Sequence, residues 1–203
     1  MDEILSLLQR RSSIGENNSI IKSAILNDCT MKIRYSCSTE HHRRQLMIES
    51  GKKIDTNFKL KVVQGGEEKE VTFSELLYRK TIVSVYMKNN TSSCDRQTLS
   101  LAENAEWFDK KGFNLIAMSK DGCRSHKNYA KKQGINYTLA SDPDYLFAKA
   151  TDSIVDKQMF GKSFTAPSRS AFVIDTDGTI LASVEKVDTK AHAEELKALI
   201  KSI

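Results

Sequence analysis

The stretch Thr81-Ile-Val-Ser-Val-Tyr-Met-Lys-Asn-Asn-Thr-Ser-Ser-Cys94-Asp-Arg-Gln97 decides how this chain folds. Its opening residues are β-branched and aromatic, as in a buried strand, and the polar run from Lys88 to Ser93 stops that strand. Beyond it Leu99, Leu101, Ala102, Ala105, Trp107 and Phe108 recur at helical spacing. Cys94 therefore stands where a strand ends and a helix begins. The first helical turn offers unpaired N–H groups and the positive end of the dipole, which favour a thiolate and bring its pKa below the free value of about 8.5. Thr91 can hydrogen-bond at that sulfur or at something bound beside it. The alternative for the same residues is an inert cysteine behind a Thr91 or Ser93 helix cap.

Working outward, Phe58, Leu60 and Val62 alternate with polar residues, Gln64-Gly65-Gly66-Glu67 is a turn signal, and Glu70-Val71-Thr72-Phe73 returns as a second strand. Ser74 is placed to cap a short helix through Leu77. After the helix from about Cys94 to Lys111, with Gly112 at its end, Phe113–Met118 reads as a strand parallel to Ile82–Met87 across a right-handed crossover. A helix follows from about Arg124 to Gln133, then an extended Tyr137–Ala140, a helical turn from Asp142-Pro143 to Ala150, and a loop. Ala171–Asp175, the tight turn Thr176-Asp177-Gly178, and Thr179–Glu185 form an antiparallel pair, and Ala191–Ile203 closes the chain as a helix. The sum is an α/β fold: a mixed central sheet flanked by helices.

Residues 1–51 read differently, as an N-terminal extension of helical pattern, set apart from a domain over residues 52–203. Ile4, Leu5, Leu7 and Leu8 suggest one amphipathic helix, Ile20, Ile21, Ala24, Ile25 and Leu26 a second, and Leu46, Met47 and Ile48 a third capped by Ser38 or Thr39. No motif assigns this region a role.

The 203 residues, 39% hydrophobic and 28% charged, suffice for a real core. The start lacks the pattern of a secretory signal and no apolar run reaches membrane-spanning length, so the expectation is a cytoplasmic protein without a membrane partner. The cysteines, Cys29, Cys37, Cys94 and Cys123, form no CxxC pair, and the four histidines add no ligand spacing, so neither metal nor cofactor is expected. The net charge of +5 is mild and its densest cluster, His41-His42-Arg43-Arg44, reads as a solvated basic face rather than a nucleic-acid site.

At Tyr86-Met-Lys-Asn-Asn-Thr91-Ser-Ser-Cys94 the chain resembles the peroxiredoxins, whose signature is Tyr-Pro-Lys-x-x-Thr-Pro-Gly-Cys, and within them the Q-type, bacterioferritin-comigratory-protein-like branch. The likeness continues through Ser119-x-Asp121, Ser125-His126, Tyr129-Ala130 and Leu139–Asp144. It is sharpest at Phe160-Gly161-Lys162 and at Arg169-Ser-Ala-Phe-Val-Ile-Asp-Thr-Asp-Gly178. It covers roughly residues 54–203 and implies a thioredoxin-like fold. It also implies a thiol-dependent peroxidase acting on hydrogen peroxide or small alkyl hydroperoxides and recycled by thioredoxin or a similar thiol reductant, as a monomer or a homodimer. Residue by residue, Cys94 matches the peroxidatic cysteine, Thr91 the threonine that orients peroxide, Arg169 the arginine that holds the thiolate, and Gln97 a supporting position. A fixed guanidinium suits the chemistry because it stays charged and donates from a rigid fork.

Three departures stand out. Met87 replaces the signature proline, Ser92-Ser93 replace Pro-Gly, and Leu99 occupies the position, five residues after the peroxidatic one, where much of the branch carries its resolving thiol. Cys123 is then the candidate resolving residue, because it follows the strand next to the one that leads to Cys94. Cys29 and Cys37, or an external thiol in a one-cysteine mechanism, stay open beside it. Pro167 stands where thioredoxin-like folds often place a cis-proline, and Trp107 reads as core. A second function class also remains: a peroxidase-inactive redox sensor or interaction module on the same fold.

Overall fold

The computed structural model describes residues 47–159 and 161–203; the extension's first two proposed helices, Cys29 and Cys37 lie outside them. Strands β1 (Lys59–Gln64) and β2 (Glu67–Thr72) form the opening hairpin, followed by α1 (Phe73–Leu76) and β3 (Thr81–Val85). Then come α2 (Ser92–Lys110), β4 (Asn114–Ser119), α3 (Cys123–Gln133), β5 (Thr138–Ser141) and α4 (Leu146–Ala150). The chain ends with β6 (Ile154–Met159), β7 (Lys162–Pro167), β8 (Ala171–Ile174), β9 (Ile180–Val184) and α5 (His192–Ile200).

Seven strands make one mixed sheet in the order β2-β1-β5-β4-β3-β8-β9. β3, β4 and β5 run parallel, with β1 and β8 antiparallel against the outer two. Because side chains alternate along a strand, the central strands feed two cores. Ile82, Leu115, Ala117 and Val173 point to one face, with Leu101 and Phe108 of α2, Tyr129 of α3 and Leu196 of α5. Val83, Val85, Ile116, Met118, Phe172 and Ile174 point to the other, with Phe73 and Leu76 of α1 and Phe147 of α4. Both faces of the sheet are thus covered, the arrangement that parallel strands require.

The turn chemistry follows the sequence. Gly112 and Gly134 take left-handed conformations just past α2 and α3, where only glycine is unstrained. Gly178 closes the β8–β9 turn at φ +88, and a Cβ there would stand 2.9 Å from Thr56 Cγ2.

Four readings are corrected. The segment after α4 is not a loop: β6 and β7 form a separate two-stranded hairpin through residue 167. It carries no apolar alternation because it stands off the main sheet and most of its side chains meet solvent. Ser74 does not cap α1; Thr72 does, its N–H donating to Glu75 Oε1 at 3.2 Å, because Phe73 already turns into the core. Met47 and Ile48 are not helical, since the Ile48 N–H bonds the Thr151 carbonyl at 3.1 Å instead of a preceding turn. Pro167 follows a trans peptide bond, as no cis bond occurs among the described residues.

Candidate active site

Cys94 is the third residue of α2, with Thr91 as the N-cap, and its side chain is completely buried. Strand β3 delivers the chain to this point. β8 lies antiparallel beside it with Ala171 opposite Ser84, so the residues just before β8 come level with the loop that enters α2. Arg169 is one of them. Its Nη2 donates to Cys94 Sγ at 3.4 Å and its Nη1 to Gln97 Oε1 at 2.5 Å.

Burial alone pushes the Cys94 thiol up, yet its pKa lies below the ordinary value of 9.0. The Thr91 hydroxyl, the backbone of Lys88 and Met87, and the Arg169 guanidinium together outweigh the desolvation. The Thr91 hydroxyl also donates to the Lys88 carbonyl at 3.1 Å. It has one proton, so it serves either the carbonyl or the sulfur, and a thiolate is the stronger acceptor.

Gln97 is fully buried and its amide orientation is fixed from both sides. Its Nε2 donates to Ser84 Oγ at 2.8 Å and to the Val85 carbonyl at 3.2 Å, leaving Oε1 for Arg169. Ser84 Oγ, accepting from Gln97, directs its own proton to His192 Nε2 at 2.9 Å. His192 is buried and its pKa falls to about 4, chiefly through desolvation and then through the nearby charge of Arg169. It is therefore neutral, with its proton on Nδ1, facing Glu195 Oε2 at 3.3 Å. A continuous chain from α5 through β3 and α2 thus orients the guanidinium at the sulfur. Sequence reasoning missed Ser84 and His192. The available signal was a hydroxyl in the middle of a buried, mostly apolar strand, which needs a buried partner.

A second network fixes the loop before α2. The Asn89 N–H donates to Asp121 Oδ2 at 2.8 Å, the Ser119 hydroxyl bonds the same carboxylate oxygen at 2.9 Å, and Asn89 Nδ2 reaches Ser125 Oγ at 2.8 Å. The Tyr86 hydroxyl donates to Asn89 Oδ1 at 2.6 Å. The first turn of α2 is held to α3 as well: the Tyr129 hydroxyl donates to Asp95 Oδ1 at 2.8 Å and lies 2.7 Å from Thr98 Oγ1. Tyr137 donates to the Thr98 carbonyl at 2.9 Å. Beside Met87 and Lys88 opens an apolar groove of about 380 Å³, lined also by Tyr86, Phe147, Phe164 and Pro167.

Cys94, Thr91, Gln97 and Arg169 therefore come together, and Cys123 does not join them. Cys123 opens α3 at the expected end of the sheet, but its thiol lies beside Glu68 of β2 and Lys61 of β1. Strands β4 and β5 stand between β1 and β3, so a Cys94–Cys123 disulfide, which needs Cα atoms within about 7 Å, would require the start of α2 to unwind. Burial, then the charge of Glu68, raises the Cys123 pKa. Both thiols are free, and among the described residues no group of His, Cys, Asp and Glu could hold a metal ion.

In sequence and in fold the chain is similar to known proteins. The AhpC/TSA family model matches residues 51–183. The chain is 31% identical to a peroxiredoxin Bcp of Xanthomonas campestris over 121 residues, 60% of this chain and 76% of that one. The structure of Xanthomonas campestris peroxiredoxin Q superposes with a TM-score of 0.68 at 26% identity, covering 75% of this chain and 97% of that one. A structure of the bacterioferritin comigratory protein from the same organism, described for its alkyl peroxide reduction activity, gives 0.69 at 25% identity, covering 76% and 98%.

Proposed function

The chain belongs to the AhpC/TSA family and is a peroxiredoxin, and from that premise we propose that Cys94 is its peroxidatic residue, with Thr91, Arg169 and Gln97 serving it. The Cys94 thiolate attacks the hydroxyl oxygen of ROOH, the O–O bond breaks, and the leaving alkoxide takes a proton from water to depart as ROH while the sulfur becomes a sulfenic acid. Arg169 stabilises the thiolate before attack and the negative charge that moves onto oxygen during it. Thr91 donates its hydroxyl proton to the bound peroxide. Gln97 keeps the guanidinium aimed. The groove beside Met87 suits the apolar R group of a small alkyl hydroperoxide.

The sulfenic acid then condenses with a thiol, releasing water, and a second thiol reduces the resulting disulfide. We assign those electrons to thioredoxin or a similar thiol donor, and the chain to the cytoplasm, a reducing compartment suited to a free catalytic thiol. The first condensing thiol is Cys123, an extension cysteine or the external donor.

The observation that carries this reading is the 3.4 Å contact between Arg169 Nη2 and the buried Cys94 Sγ at the start of a long helix. Intact mass after one equivalent of hydrogen peroxide tests it, on the parent, Cys94→Ser, Cys123→Ser and a Cys29→Ser/Cys37→Ser variant. A loss of about 2 mass units that needs Cys94 and one other cysteine identifies a resolving thiol; a gain of about 16 on Cys94 alone identifies a one-cysteine mechanism. No change at Cys94 rejects the peroxidatic assignment in favour of a peroxidase-inactive module.

A further inference from the structure

Lys157, on β6, belongs to no motif and makes none of the ion pairs found among the described residues. Its ammonium is half-buried, donating to the Pro167 carbonyl at 2.8 Å and to Met87 Sδ at 3.3 Å. Neither the carbonyl nor the thioether carries a charge to offset a desolvated cation, and a second cation stands close by. Burial, and then the charge of Arg169, accordingly lowers the Lys157 pKa. A group kept at such a cost has a placement worth explaining.

The partners supply the explanation. Met87 lies in the loop whose backbone faces the Cys94 sulfur, and Pro167 precedes Arg169 by two residues. These are the two segments that meet at the site, and the hairpin carrying Lys157 pairs with no strand of the main sheet. Met87 also stands where the peroxiredoxin signature has proline, so the loop lacks the stiffness of a pyrrolidine ring.

We propose that Lys157 is a positioning residue of the peroxidatic site: its ammonium clamps the Met87 loop to Pro167 and so holds the backbone facing Cys94 and the Arg169 guanidinium in register. The clamp supplies from a neighbouring hairpin the rigidity that proline would supply from within the loop. This inference rests on the peroxidase reading above.

The test compares the parent with Lys157→Met, Lys157→Arg and Met87→Leu, in the full chain. The readouts are the second-order rate of Cys94 oxidation by hydrogen peroxide, the Cys94 thiolate titration by ultraviolet absorbance, and the melting temperature. Losing one charged hydrogen-bonding group should slow oxidation by Lys157→Met about tenfold and shift the thiolate titration upward. Lys157→Arg keeps the cation and donors and should stay within about twofold of the parent, while Met87→Leu, losing only the sulfur acceptor, should slow about threefold. Parent rate and titration in Lys157→Met would overturn the clamp, as would Lys157→Arg as slow as Lys157→Met. Should Lys157→Met fail to fold, parent-like behaviour of Met87→Leu would overturn it. A parent protein that peroxide leaves unoxidised at Cys94 refutes the peroxidase reading itself; an oxidised parent matched by Lys157→Met refutes only the clamp.

Discussion

Arg169 Nη2 and Cys94 Sγ, 75 residues apart in the chain, lie 3.4 Å apart in the fold. The contact exists because β8 runs antiparallel to β3, which brings the residues just before β8 level with the loop that enters α2. A charge-assisted hydrogen bond of this kind contributes on the order of 2 kcal/mol.

Arg169→Ala should therefore slow Cys94 oxidation roughly 30-fold, raise the thiolate pKa, and change the melting temperature little. Stopped-flow oxidation by hydrogen peroxide measures the rate. Parent-like kinetics in that variant would remove the electrostatic role assigned to the residue.

Ser84→Ala breaks the chain between α5 and the site in the middle. Gln97 Nε2 retains only the Val85 carbonyl, and His192 Nε2 is left buried without a partner. The expected cost is about 1–3 kcal/mol of unfolding free energy, with a smaller loss of oxidation rate as Arg169 loosens. Ser84→Thr, which restores the hydroxyl, should recover the rate better than Ser84→Cys. Denaturant unfolding and the same kinetic assay separate the two effects.

Acid should destabilise the fold through its buried histidines. His126 and His192 both titrate near 4 in the folded protein, with desolvation the main cause, against 6.5 for a free imidazole. The unfolded chain thus binds more protons between these values. Stability from this source is complete above about pH 6.5 and is lost as pH falls toward about 4, on the order of 3 kcal/mol for each histidine. Urea unfolding at pH 7 and pH 4.5 should show the drop, and His192→Gln should lessen it. Equal unfolding free energies at the two pH values would contradict the assignment of buried neutral imidazoles.

What the sequence discloses depends on whether the signal is local. β3 and α2 are legible because the apolar period switches from strand to helix across a polar stop, and α3 because Gly134 ends it at a left-handed residue. Thr91, Cys94 and Gln97 lie on one local stretch, and Arg169 precedes a readable strand. The hairpin β6–β7 is not legible, since strands exposed on most positions need no apolar alternation. The pair Ser84 and His192, 108 residues apart, leaves no joint trace in the chain. Cys123 shows the limit most plainly. The edge of the sheet on which it lies follows from chain direction, but its lateral position depends on strand order, and β1 inserting next to β5 is a tertiary choice.

The ties from Asp95 and Thr98 to Tyr129 and Tyr137 have a consequence in time. Peroxide is small enough to reach a buried sulfur, but a thiol carried on another protein is not, so such a donor would meet the oxidised Cys94 only once the first turn of α2 opens. Those hydrogen bonds set how seldom it does. On the proposed cycle they would act as a timer on the oxidised state, separating a chemical half that the closed turn favours from an exchange half that begins only when the turn lets go.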